Sequence, residues 1–265
     1  MSKKTEEMFA SDYLWKALNI WPTNPGKALL RAIEARELSE IQLDAPVLDL
    51  GCGDGAFFSL LGQRAEFGID INLLRAHSAK ITTGYGLTAC ANARQLPFPD
   101  SFFRGVLSNS VLEHIDRVAG TLSEVHRILR RDGVLAFTVP SPSKIQFLFY
   151  SNESLYGTPG LGYQYIQHFN SFWVHKNYMT PQEWENLLTK IGFRIDVIKY
   201  YEPSRTSTFI DFLLGIRIQY KYWTKRAKKD VEVAFLKSLY FYLRPYYEAR
   251  AESIGGGLLI KAVKI

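Results

Sequence analysis

Val47-Leu48-Asp49-Leu50-Gly51-Cys52-Gly53-Asp54-Gly55-Ala56-Phe57-Phe58 decides the fold of this chain of 265 residues. Ala45 to Leu50 is a short, mainly apolar run with Pro46 at its mouth, the pattern of a central parallel strand. Gly51, Gly53 and Gly55 let the backbone turn through positive φ and let a ligand approach where a Cβ would collide. A helix that starts near Gly55 points its N–H groups and the positive end of its dipole back into that turn. Strand, glycine turn and helix together suit a nucleotide-like ligand.

Asp70 supplies the second half of the signal. It closes the run Glu66-Phe67-Gly68-Ile69-Asp70, about 20 residues past Asp49, which reads as the next parallel strand. A carboxylate at that strand's C-terminal end can accept both hydrogen bonds of a ribose diol. Two classes fit this geometry: a dinucleotide dehydrogenase and an S-adenosylmethionine-dependent methyltransferase. The residue three beyond Gly53 is Ala56, which the dehydrogenase fingerprint tolerates, so that test does not separate them. Asp49 does, because a carboxylate just ahead of the first glycine can receive a ligand's amino group. Asp49-Leu50-Gly51-Cys52-Gly53-Asp54-Gly55 resembles motif I of class I methyltransferases, whose pattern is D/E-x-G-x-G-x-G.

The resemblance continues to Ser141. Ala91-Asn92-Ala93-Arg94-Gln95-Leu96-Pro97-Phe98-Pro99-Asp100-Ser101-Phe102 is similar to the family stretch D-A-x-x-L-P-F-x-D-x-S-F. In the family the acidic residue before Ala receives the adenine amino group; here Asn92 holds that place, with an uncharged amide oxygen as acceptor. Gly105 to Ile115 resembles motif IV, with Arg104 where the family often has Asp, and reads as a strand opening into a helix. Leu122 to Arg130 continues helical, and Arg131-Asp132-Gly133 turns into the strand Val134 to Pro140. The resemblance implies the cofactor S-adenosylmethionine, with S-adenosylhomocysteine as product. It implies contacts from Asp49, Gly51, Cys52, Gly53, Asp70, Ile71, Asn92, Ala93 and Asn109. No N-P-P-Y or D-P-P-Y tetrapeptide is present, which counts against methylation of a planar amino nitrogen in a nucleic-acid base.

Composition is that of a globular chain, 47% hydrophobic and 14% aromatic, with a net charge of +6. Cys52 and Cys90 lie far apart, which predicts neither a disulfide scaffold nor a zinc cluster, and a reducing cytoplasm is the expected setting. Met1 to Glu7 has no apolar core of a secretory signal, and no run reaches the roughly 20 residues of a membrane span. Residues 1–44 read as an N-terminal helical cover, with Lys27 to Leu38 helical. Tyr13 and Trp21 are its candidates for contact with substrate.

Residues 45–204 and 251–265 read as the methyltransferase core. Gly157 to Gly162 is loop-like, and the stretch after it, with His168, Trp173 and His175, is where the family builds its acceptor pocket. Thr180-Pro181-Gln182-Glu183 is a capping box with proline at the first helical position, and Gly192 ends that helix. Phe193 to Tyr201 alternates as a strand. The last strand is Leu258 to Val263, antiparallel in the family.

Between these strands, residues 205–250 form a basic, aromatic insertion with ten Lys and Arg against four Asp and Glu, an excess equal to that of the whole chain. Phe209, Phe212, Leu213, Ile216, Tyr220 and Trp223 follow helical spacing, flanked by Arg217, Lys221 and Lys225. Val231 to Tyr247 reads as a second helix, with Pro245 as a kink or stop. The insertion is read as a lid, a homodimer interface or a contact with an anionic membrane surface.

Methyl transfer from a sulfonium is an in-line displacement that asks the protein mainly for alignment and exclusion of water. A base is needed where the acceptor is a hydroxyl, and His114, past the fourth strand, is the candidate. Glu113 beside it would face elsewhere on a helix, and no metal site is expected. The fold expected is α/β: a Rossmann-like seven-stranded methyltransferase sheet, last strand antiparallel, between helices, with a helical insertion before the last strand. The function expected is methyl transfer to oxygen of a small-molecule or lipid- or glycan-linked acceptor. Rival readings are an RNA or other nucleic-acid methyltransferase, favoured by the basic excess and opposed by the lack of any RNA-binding module, and a non-catalytic cofactor-binding or membrane-recruitment protein.

Overall fold

The computed structural model describes residues 11–63, 65–83, 85–155, 159–215 and 229–265. In chain order they form α1 (Tyr13–Ile20), α2 (Pro25–Ser39), β1 (Val47–Leu50), α3 (Ala56–Leu61), β2 (Phe67–Asp70), α4 (Leu73–Thr83) and β3 (Leu87–Cys90). There follow β4 (Phe103–Asn109), α5 (Val118–Ile128), β5 (Leu129–Pro140), α6 (Leu161–Trp173), α7 (Pro181–Ile191), β6 (Phe193–Tyr201), α8 (Ser204–Gly215), α9 (Lys229–Glu248) and β7 (Gly257–Lys264).

The strands make one sheet in the order β3-β2-β1-β4-β5-β7-β6. Pairs β1–β2, β1–β4, β2–β3 and β4–β5 are parallel, whereas β7 runs antiparallel to β5, Pro140 facing Gly257 and Val134 facing Val263. All four residues of β1 are buried, as a strand covered on both faces requires. The order turns back on itself at β1, with β2 on one side and β4 on the other. Open sheets of this kind bind ligands at the carboxyl ends of the strands at such a switch point.

The chain divides into two compact units. One holds the sheet, from residues 37–142, 173–200 and 257–265. Its core joins Leu48, Leu50, Phe103, Leu135, Phe137, Trp184, Phe193 and Ile260. Phe67 meets Phe98, Phe102 and Phe103 edge to face at 5.3 to 5.6 Å, a geometry favoured by the ring quadrupoles. The Arg131-Asp132-Gly133 turn lies inside β5 as a bulge: the pairing jumps from Phe103–Leu129 to Gly105–Val134, and Asp132 takes φ 62°. The capping box of α7 is complete, with the Thr180 hydroxyl accepting from Glu183 N and the Glu183 carboxylate accepting from Thr180 N at 2.7 Å. Gly192 ends α7 at φ 111°.

The other unit is helical, from residues 1–36, 143–172 and 201–256. Asp12 caps α1 by accepting from Leu14 N and Trp15 N, and its second oxygen accepts from the Tyr240 hydroxyl of α9 at 3.0 Å. Asp211 of α8 is buried and accepts from the Tyr165 hydroxyl at 2.6 Å and from Tyr150 N. Lys144 and Glu202 form a buried ion pair. Phe209 stacks on Tyr246 at 4.1 Å.

Three expectations change here. The loop expected through Gly162 is shorter, since α6 starts at Leu161. The segment after β4 forms one turn of 3-10 helix, Leu112–His114, instead of entering an α-helix directly. Of the two roles expected for Pro245, kink or stop, the stop is corrected: the helix runs on to Glu248. Ile216, Arg217, Tyr220, Lys221, Trp223 and Lys225 of the expected insertion helix lie outside the described residues. Among the described residues no helix is long and apolar enough to cross a membrane.

Candidate functional site

The glycine turn is held open by specific contacts. Gly51, Gly53 and Gly55 have φ of 84°, 57° and 78°, the region that glycine enters without strain. Gly51 N and Cys52 N both donate to the Ile69 carbonyl at 2.8 Å, which ties the turn to the end of β2. A Cβ on Gly51 would stand 2.4 Å from Val111 Cγ2, so the loop after β4 lies directly on the turn. A Cβ on Gly53 would meet nothing within 4 Å. The turn is thus tight on its Val111 side and open at Gly53, where backbone can be approached.

Asp70 closes the turn from β2. Its carboxylate accepts from Gly53 N at 2.9 Å through one oxygen and from Asn72 N at 2.8 Å through the other. Ile71, the next residue, is three-quarters exposed and offers an apolar face beside it. Asp49 lies beneath, buried, and accepts from the Tyr85 hydroxyl at 2.5 Å. Burial pushes its carboxyl up to about 7, the Tyr85 bond opposes that rise, and the Asp70 charge adds to it. Burial, with the charges of Asp49 and Asp70, likewise pushes the Cys52 thiol up, so it stays neutral.

Asn92 and Ala93 follow β3. The Asn92 amide oxygen accepts from Arg94 N at 3.0 Å and its carbonyl from Gln95 N at 2.9 Å. The oxygen expected to receive an amino group is therefore already engaged by an Asx turn. The Leu96-Pro97-Phe98-Pro99-Asp100 stretch is held by Arg127 of α5, whose guanidinium donates to the Leu96 and Phe98 carbonyls and to Asp100. Glu124 completes the clamp by accepting from Leu96 N, and its bonds from Arg127 hold its carboxyl below the usual range. At the end of β4, Asn109 accepts from the Thr138 hydroxyl at 2.6 Å. Leu50, Asp70, Cys90 and Asn109 end four adjacent parallel strands, so the expected cofactor contacts lie at or next to the carboxyl ends of these strands.

Past Asn109 the structure gathers a second group. His114 and His175 face each other with ring centroids 5.1 Å apart, and Trp173 stacks on His175 at 6.4 Å. Glu113 is buried, and its Oε1 lies 3.8 Å from His114 Nε2. The expectation that Glu113 and His114 cannot share a site is corrected: the argument from helix faces fixes where side chains leave the backbone, and these two are long enough for their ends to meet at 3.8 Å. The His175 Nδ1 is 2.7 Å from the Tyr178 hydroxyl, a residue that the sequence reading passed over, as it did Tyr85. Three expected residues, His114, Trp173 and His175, thus come together. Tyr13, Trp21 and His168 belong to the helical unit, where Lys16 lies over the Tyr13 ring, Lys27 over the Trp21 ring at 4.7 Å, and His168 stacks with Phe172.

A seven-stranded sheet of this order with a reversed β7, a Gly-x-Gly-x-Gly turn after β1 and a carboxylate ending β2 give the fold of the class I S-adenosylmethionine-dependent methyltransferases. Residues 48–137 match the family described as "Methyltransferase domain". An uncharacterised protein of Methanocaldococcus jannaschii is 39% identical over 102 residues, 38% of this chain and 43% of that one. The malonyl-[acyl-carrier protein] O-methyltransferase of Hamiltonella defensa is 26% identical over 151 residues, 56% of this chain and 57% of that one. The chain spans about half the length of the curated relatives it matches. A solved S-adenosylmethionine-dependent methyltransferase of Thermotoga maritima shares the fold, with a TM-score of 0.58 at 16% identity over 89% of this chain and 90% of that one.

The residues present fit the cofactor of this class. Gly53 leaves open backbone beside the carboxylate of Asp70, which suits a ribose, and Ile71 offers an apolar face beside that pair.

Proposed function

We propose that the chain is a methyltransferase that uses S-adenosylmethionine to methylate an oxygen of a small-molecule or lipid- or glycan-linked acceptor. The observation that carries this reading is the group of Glu113, His114 and His175 just past Val111, which itself packs on Gly51 of the cofactor turn. It provides a proton acceptor at the end of the cofactor site, and a hydroxyl acceptor needs one where an amine does not.

When bound, S-adenosylmethionine supplies the activated methyl group and leaves as S-adenosylhomocysteine. The chain's own work is to hold the ribose on Asp70, to fix the turn through Gly51 and Cys52, and to receive a proton. His114 Nδ1 lies 3.4 Å from the Val174 carbonyl. A carbonyl only accepts, so Nδ1 carries the hydrogen and Nε2 presents the lone pair. As the acceptor oxygen takes the methyl carbon, its proton passes to His114 Nε2, and the Glu113 carboxylate steadies the imidazolium so formed. The malonyl-carrier relative, whose name states O-methylation, supports oxygen as the target atom.

The test is calorimetric titration with S-adenosylhomocysteine, followed by an acceptor screen weighted toward lipophilic alcohols and carboxylic acids. Binding lost in Asp70→Ala, with turnover on an alcohol or acid, supports the reading. No binding by the native chain removes it.

A further inference from the structure

Glu113, His114 and His175 do more than surround a proton. One donor atom from each lies within 4.8 Å of the other two. We propose that they form a site for a single divalent transition-metal ion, Zn2+ or one of similar preference, at the acceptor end of the methyl-transfer site.

The donor set is the first argument. Two imidazoles and one carboxylate are the ligands of three-residue catalytic metal sites, and imidazole selects transition ions over Mg2+. Three protein ligands leave at least one position open. The second argument is the outer partners. Metal-binding histidines hold their other ring nitrogen on a carbonyl or hydroxyl, which fixes tautomer and orientation. Both histidines here do so through Nδ1, His114 on the Val174 carbonyl and His175 on the Tyr178 hydroxyl at 2.7 Å. That leaves Nε2 as the ligating atom of each, and His114 Nε2 is the atom that faces Glu113 at 3.8 Å. Ligands of a tetrahedral ion stand about 3.4 Å apart at metal–nitrogen distances near 2.1 Å. The group is therefore within rotamer adjustment of that geometry.

The scaffold is the third argument. The Glu113 carbonyl accepts from Lys176 N at 2.7 Å and from Asn177 N, while the Asn177 amide donates to the Leu112 and Ile115 carbonyls. These bonds staple the 3-10 turn that carries two ligands to the loop that carries the third. Ligands 61 residues apart in sequence are thus held in one place before any ion arrives. The Glu113 carboxylate is buried, 2% exposed, which shields a ligand there from competing water.

The consequence for chemistry rests on the methyltransferase reading; the binding itself does not. An acceptor oxygen on the open position has its O–H acidity raised by the ion, as metal-bound water does. Its proton leaves to solvent, the oxygen's electron pair forms the bond to the methyl carbon, and the pair of the breaking carbon–sulfur bond stays on sulfur. In the loaded protein the ion replaces His114 Nε2 as the element that draws the proton away.

The experiment uses the full chain, free of affinity tag and stripped with chelator, titrated with Co2+ as an optical probe and then with Zn2+. A visible band of four- or five-coordinate Co2+ that saturates at one equivalent and is displaced by Zn2+ is expected. His175→Ala should abolish it, and Tyr178→Phe, which keeps every ligand, should weaken Co2+ binding by about 10- to 100-fold. S-adenosylhomocysteine affinity should be unchanged in both variants, which separates failure here from failure of the methyltransferase reading. A native protein that leaves the Co2+ spectrum that of the aquo ion, or a band that survives His175→Ala, overturns the proposal.

Discussion

The Tyr85 hydroxyl donates to the buried Asp49 carboxylate at 2.5 Å, directly beneath the glycine turn. That contact sets how the site responds to pH. Burial raises the Asp49 carboxyl from 3.8 to about 7, with Asp70 adding to the rise and Tyr85 opposing it. Between pH 4 and 7 the folded chain therefore holds a proton that the unfolded chain has lost. Stability falls as pH rises through that window and levels off above it. Asp49→Asn removes the dependence. Its melting temperature relative to native should rise from pH 5 to pH 8, measured by thermal unfolding in matched buffers. A ligand ammonium near Asp49 favours the carboxylate, so native affinity for S-adenosylhomocysteine should strengthen from pH 6 to pH 8 and that of the variant should not. Parallel pH profiles for the two proteins would remove Asp49 from the site.

Tyr85→Phe isolates the other partner. It leaves a buried carboxylate short of one donor, at a cost of about 1 to 3 kcal/mol. It also removes the contact that holds Asp49 down, so the rise of cofactor affinity with pH should move to higher pH. Urea unfolding at pH 7 and calorimetry across pH read the two effects separately. A stability loss with no shift of the binding profile would make the hydroxyl purely structural.

The two glycines of the turn should fail differently. Gly51→Ala puts a Cβ 2.4 Å from Val111 Cγ2 at φ 84°, a clash with a packed side chain. It should destabilise the fold by about 2 kcal/mol or more. Gly53→Ala meets nothing within 4 Å, so its cost is the backbone strain of φ 57°, about 1 to 2 kcal/mol. Its methyl group points into the open space by the turn, and S-adenosylhomocysteine affinity should fall by 10-fold or more although the fold persists. Binding retained by Gly53→Ala would place the ligand elsewhere.

The sheet and the glycine turn were legible in the sequence because their signals are local. Val47–Leu50 and Phe67–Asp70 are apolar runs ended by glycine or a carboxylate, and Thr180 with Glu183 is a cap within four residues. The cluster past β4 was not legible in the same way. His114 and His175 are 61 residues apart, and Glu113 was set aside because neighbours on a helix leave the backbone in different directions, although its carboxylate reaches to 3.8 Å from His114 Nε2. Tyr85 and Tyr178 gave no local signal, since a tyrosine just ahead of a strand or a cap reads as packing. Length and charge alone could mark 205–250 as unusual, whereas the buried polar contacts of the helical unit, such as Tyr165 with Asp211, join distant segments that no periodicity links.

Asn92 offers a test by gain instead of loss. The family resemblance puts the adenine amino group on this side chain, where the family pattern has a carboxylate. Its oxygen accepts from Arg94 N at 3.0 Å. An aspartate keeps that acceptor, so Asn92→Asp should preserve the Asx turn and the melting temperature. Its charge strengthens the bond to an amino donor: hydrogen bonds to charged groups contribute about 1 kcal/mol more than neutral ones. Affinity for S-adenosylhomocysteine should therefore rise by about 5-fold at pH 7. Asp70 pairs with Cys90 at the end of the neighbouring strand, so some of that gain is offset by repulsion between the two carboxylates. Added salt screens this repulsion, and the gain should be larger at 0.3 M than at 0.03 M salt, on the order of a tenfold range of ionic strength. Affinity that falls at both salt concentrations would mean that the adenine ring lies away from Asn92.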